Sequence, residues 1–128
     1  MHDRILWIDC IGALLVGAVV FFAFEALAAL ERLPVSVVLS MSAVNLVYGA
    51  YSLFVTTRSP RPALLVKVLA IANMFWLVIC VAIAITYRNQ VSGLGLLHVL
   101  GEGVYVACLG AFEWSMVSEL SSDERKPA

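Results

Sequence analysis

The sequence predicts an all-α fold, an integral membrane four-helix antiparallel bundle running up-down-up-down, and three observations predict it. Four stretches are long and apolar enough to cross a hydrocarbon layer of about 30 Å, which takes roughly 20 helical residues. The composition, 62% hydrophobic and only 13% charged, with a mean hydropathy of +0.98, belongs to the membrane class and not to water-soluble globular chains. The connections between the stretches are short, so successive spans must return antiparallel.

The spans fall at about 5–30, 35–55, 63–87 and 92–116, with a polar tail over 117–128, and together make one domain over 1–128. Ile5–Phe24 follows Arg4 as a signal sequence would, but the run is long, Asp9 interrupts its start, and Ala29-Leu30-Glu31-Arg32-Leu33-Pro34 follows where a cleavage site would stand. It is therefore read as a span. Asp9 lies about one turn in, suited to the helix dipole and within reach of Lys67 or Arg61. Ala13 and Gly17 form a small-xxx-small pair that admits a close neighbour. Good helix formers continue past Phe24 to Arg32, which puts Glu25 near the far boundary, either as an interfacial carboxylate or as an access acid leading toward His98. Leu33-Pro34 then ends the helix and starts the next.

The second span carries Ser42, Asn45, Tyr48, Gly49 and Ser52 at steps of three and four, one polar face on an otherwise apolar helix. Such a face serves as interhelical glue or lines a cavity. Thr56–Pro62 is the one clear linker, polar, basic and broken by two prolines. In the third span Ala72-Asn73-Met74-Phe75-Trp76 repeats the spacing of Val44-Asn45-Leu46-Val47-Tyr48, an asparagine with a large aromatic three residues on. Two matching positions are as compatible with chance as with the inverted duplications of transporters.

The last span holds His98, Glu102 and Tyr105 on one side, and Gly103, Ala107 and Ala111 as a smooth face for helix contact. Glu113 and Trp114 return the chain to the interface, and the tail from Val117 is expected to fray. An ionisable side chain at mid-membrane costs about 2.5 kcal/mol or more on insertion scales, so Glu102 must face protein or water. Counting from the span ends places Asn45, Asn73 and Glu102 at similar depth, with Tyr48, Trp76 and Tyr105 about a turn away and His98 toward the far side.

Val44–Ser52, Ala72–Trp76 and the Gly101-Glu102 and Phe112-Glu113-Trp114 segments together resemble a group of small four-span bacterial inner-membrane proteins. The resemblance covers most of the chain and implies a bacterial inner-membrane setting; it carries over no activity.

If the spans alternate, one side of the membrane carries Arg4, Arg58, Arg61, Lys67, Arg125 and Lys126 and the other only Arg32 and Arg88, six against two, which puts both termini in the cytoplasm. Several chemistries find no support. Bis-histidine haem needs two histidines within spans, and His2 lies outside them. Cys10, Cys80 and Cys108 form no paired motif and read as small apolar side chains. No metal cluster, phosphate loop, catalytic triad or basic nucleic-acid surface is present, so no cofactor and no nucleic acid is expected. The expected partners are membrane lipid and a second copy or a larger membrane complex. Two functions remain: a bundle that moves protons, ions or a small molecule through a Glu/Asn layer, with Asp9, Glu25 and Glu113 as access acids, or a structural or accessory subunit whose polar layer only fixes packing. An intramembrane enzyme would need His98 and Glu102 to line one cleft.

Overall fold

A computed structural model of the chain describes residues 3–121. Four long helices, α1 (Asp3–Glu31), α2 (Val35–Thr57), α3 (Ala63–Thr86) and α4 (Gly93–Ser115), form an antiparallel bundle, followed by a single-turn helix α5 (Val117–Leu120). All four long helices are apolar enough to cross a membrane. Their surfaces agree: Phe22 is 85% and Val47 72% exposed, whereas Ser42, Ser52 and Asn73 are buried. An apolar skin around a polar centre suits a multi-pass membrane protein and is the inverse of what water requires.

The bundle is two hairpins. α1 packs along α2 and α3 along α4, the hairpins meet mainly through α1 and α4, and α2 scarcely touches α3. Glycines let each pair close. A Cβ on Gly17 would stand 3.1 Å from the backbone nitrogen of Leu46, and one on Gly49 would stand 3.1 Å from that of Leu14, so α1 and α2 interlock reciprocally. In the second hairpin Gly103 lies against Cys80 and Gly110 against Ala70. The expected smooth face of α4 is therefore shifted: Ala111 is exposed and Gly110 makes the contact.

α1 breaks regular geometry at Ala23 (φ −123°, ψ 19°), which redirects its last two turns. It ends in a Schellman turn: Arg32 takes a positive φ of 56° and the Leu33 amide donates to the Ala28 carbonyl at 3.1 Å. Ser92 caps α4 by accepting from the Gly95 amide at 3.1 Å. It also joins the hairpins, since its amide donates to Glu31 O at 2.9 Å and its hydroxyl to Leu30 O at 2.8 Å.

At the opposite end the chain from Val117 does not fray as expected. α5 tucks Leu120 into an apolar cluster with Leu6, Val55, Val66 and Leu69. The buried Arg61 guanidinium ties this end together, donating to Val55 O at 2.9 Å, Thr56 O at 2.6 Å, Leu120 O at 2.8 Å and Asp3 Oδ1 at 3.1 Å. The remainder of the predicted tail, with Arg125 and Lys126, lies outside the described residues, as does His2.

Candidate functional site

The polar side chains inside the bundle fall into two clusters at different depths. In the outer one Glu31, at the end of α1, sets both carboxylate oxygens 2.9 Å from His98 Nδ1. The other imidazole nitrogen, Nε2, lies 3.3 Å from Glu102 Oε2, one turn along α4. Glu102 Oε1 accepts from Asn45 Nδ2 of α2 at 2.6 Å. Glu31, His98, Glu102 and Asn45 thus form one chain of contacts across three helices.

The inner cluster centres on Asn73 of α3, whose amide nitrogen donates to Asp9 Oδ1 of α1 at 3.3 Å and to Glu113 Oε1 of α4 at 2.7 Å. An amide nitrogen has two hydrogens, and both are spent here. Tyr48 OH donates to Asp9 Oδ2, and Ser52 Oγ donates to the same oxygen at 3.4 Å. Asp9 is 2% exposed and Glu113 fully buried, and Glu113 Oε2 meets no hydrogen-bond partner. Among the described residues no ion pair reaches either acid.

Between the clusters lies a cavity of about 260 Å³ to which all four helices contribute. Asp9, Asn45, Tyr48, Asn73 and Glu102 border it, but its wall is mostly apolar, with Val16, Val44, Phe75, Trp76, Ile79 and Tyr105. Phe75 of α3 and Tyr105 of α4 are also exposed on the outside of the bundle, so side chains of the apolar skin form part of the cavity wall. Trp76 Nε1 is buried without a partner.

The predicted polar residues are thus distributed differently from the single mid-span layer expected of them. Asn45 meets Glu102, but Asn73 belongs with Asp9 and Glu113. Asp9 turns into the bundle instead of toward a base, Arg61 being engaged with Asp3 and Lys67 lying 5.9 Å over the Trp114 ring. Glu113 is interior, not interfacial. Glu25 is exposed, and the acid beside His98 is Glu31, which sequence reasoning did not single out. The chain matches no protein-family model, no curated protein and no solved structure. The likeness of the Val44–Ser52 segment to small inner-membrane proteins therefore yields no family assignment, and function has to be argued from the site.

The chemistry open to this arrangement is proton chemistry. Among the described residues no group of three or more His, Cys, Asp and Glu side chains is placed to hold a metal ion. Two buried carboxyl groups bonded to one amide can each hold a proton, which meets the cost of burying a charge that no base among the described residues offsets. The imidazole between Glu31 and Glu102 has one nitrogen for each acid.

Proposed function

We propose that this chain is a small translocator of the bacterial inner membrane that takes up and releases protons at its buried carboxyl groups, coupling them to a small, largely apolar molecule held between the hairpins. The observation that carries the reading is the bracketing of one interhelical cavity by Glu102 on one side and the Asp9–Asn73–Glu113 group on the other. Ionisable side chains within spans are rare, and they mark ion and proton pathways. The weak contact between α2 and α3 supports access to the cavity from the bilayer and allows the hairpins to rock, as alternating access requires. Both termini are assigned to the cytoplasm, on the basic side defined by Arg4, Arg58, Arg61 and Lys67. Association as a homodimer or within a larger membrane complex is part of the same reading.

Reconstituted protein should move protons across a liposome membrane under an imposed potential, and Glu102→Gln should abolish that flux while leaving helix content unchanged. Equal flux in wild type and variant removes Glu102 from the pathway. A second reading is favoured by one observation: Asn45 and Asn73 both bond acids of the opposite hairpin, as a packing latch would. On that reading the chain is a structural or accessory membrane subunit, and Glu102→Gln changes stability or partner retention in mild detergent without any flux to lose.

A further inference from the structure

Glu31 and His98 lie between the outer end of the bundle and the cavity, and neither borders the cavity itself. As a mechanical tie they are redundant. Ser92 already fixes the end of α1 to the start of α4 through Leu30 O and Glu31 O, and Gln90 Nε2 donates to Arg32 O at 3.3 Å. A tie would also not need the second imidazole nitrogen directed at Glu102.

We propose that Glu31 and His98 are the outer proton port of Glu102, a carboxyl–imidazole–carboxyl relay that carries protons from the outer surface to the edge of the cavity. The proposal rests on the proton exchange assigned to Glu102 above. Its geometry is a hydrogen bond of 2.9 Å between Glu31 and Nδ1 followed by a close approach of 3.3 Å between Nε2 and Glu102 Oε2, an oxygen that is buried and has no hydrogen-bond partner of its own in this arrangement. His98 is the sixth residue of α4 and keeps 18% of its side chain exposed, whereas Glu31 keeps 2%, so the ring edge is where water reaches the chain of contacts.

The step balances without any co-reactant. The Glu31 carboxyl O–H breaks as Nδ1–H forms, and the imidazolium then yields its Nε2 proton to the Glu102 carboxylate; a proton taken from water at the ring edge next occupies Nε2 as Nδ1 returns its proton to Glu31, which restores the starting state. The groups around the ring are few. α1 contributes Glu31 and α4 contributes Glu102; Asn45 of α2 bonds Glu102, and Val38 and Met41 of α2 with Cys80 of α3 and Tyr87 just after it belong to the neighbouring apolar cluster.

The test is proton conductance of the full chain in phosphatidylethanolamine–phosphatidylglycerol liposomes, with a trapped pH dye and a potassium diffusion potential. His98→Gln keeps hydrogen-bonding groups but cannot accept and release a proton, and Glu31→Gln keeps the shape at the outer end. Each is expected to lower conductance by about 100-fold, the scale of a lost acid–base group, with helix content and thermal unfolding in detergent unchanged. Should His98→Gln fail to fold, Glu31→Gln decides the matter alone. Conductance lost in Glu102→Gln but retained in Glu31→Gln and His98→Gln overturns the relay and leaves the proposed function standing. A wild-type protein that conducts no protons overturns both.

Discussion

At Gly110 the backbones of α3 and α4 approach so closely that a methyl group would stand 2.7 Å from the Ala70 carbonyl oxygen and 2.9 Å from Asn73 Cβ. Neither atom is the end of a flexible side chain, so Gly110→Ala must push the helices apart. The expected loss is about 1–3 kcal/mol, the usual range for overpacking, measured by unfolding in mixed micelles against Gly101→Ala. Gly101 has nothing within 4 Å, and its substitution should leave stability unchanged or raise it by up to about 1 kcal/mol, since alanine is the better helix former. Equal effects at the two glycines would mean the hairpin is not packed as described.

The asparagines offer a second comparison at the same scale. Asn73→Leu removes two interhelical hydrogen bonds, Asn45→Leu one. With about 0.6 kcal/mol per bond and an upper value near 1.7, the loss at Asn73 should be roughly twice that at Asn45 in the same unfolding measurement. The reverse order would show that the inner cluster does not depend on the shared amide.

Among the elements, α5 depends most on one side chain. Arg61 reaches the C-terminal carbonyls of α2 and the Leu120 carbonyl of α5 at once, which the planar guanidinium fork permits and a lysine ammonium does not. Arg61→Ala and Arg61→Lys should both free α5, each costing about 1.5–3 kcal/mol or more. A spin label at Ser118, on a background without other cysteines, should gain mobility in both variants. Unchanged mobility in Arg61→Lys would mean that charge alone holds the turn.

The helices themselves were readable from hydropathy and proline placement, because span length and the breaks at Leu33-Pro34 and Thr56–Pro62 are local properties. The inward stripe of α2 was readable too, since Ser42, Asn45 and Ser52 keep helical spacing and are all buried. What stayed hidden depends on bends and on docking. The break at Ala23 and the Schellman turn at Arg32 aim Glu31 inward, and a straight-helix projection from Phe24 gives no sign of it. Glu113 looked interfacial from its distance to the span end, although Val99, Gly103, Val106, Gly110 and Glu113 follow a four-three spacing that marks one packed face. That spacing was the available signal. The partner of Asp9 could not be read, because which spans are neighbours is a property of the pairing of hairpins and not of any one helix.

For the whole molecule, the two ends of the bundle should face different compartments. Single cysteines at Ser59, in the exposed α2–α3 loop, and at Gln90, in the exposed α3–α4 turn, should react with an impermeant maleimide from opposite sides, Ser59→Cys from the cytoplasmic side. Reaction of both from one side would contradict a span in α3. The apolar skin and the buried acids belong together here: the bundle keeps Asp9, Glu31 and Glu113 away from lipid by spending its interior on them, which leaves a weak seam between α2 and α3 and a cavity in the middle.

The most direct measurement is infrared difference spectroscopy of the reconstituted protein between acid and neutral pH, in light and heavy water, where carboxyl stretching bands report the acids themselves. The expected result is carboxyl bands that shift on deuteration, one component missing in Glu102→Gln and another in Glu113→Gln. Carboxyl bands identical in the wild type and both variants would contradict proton exchange at the buried acids.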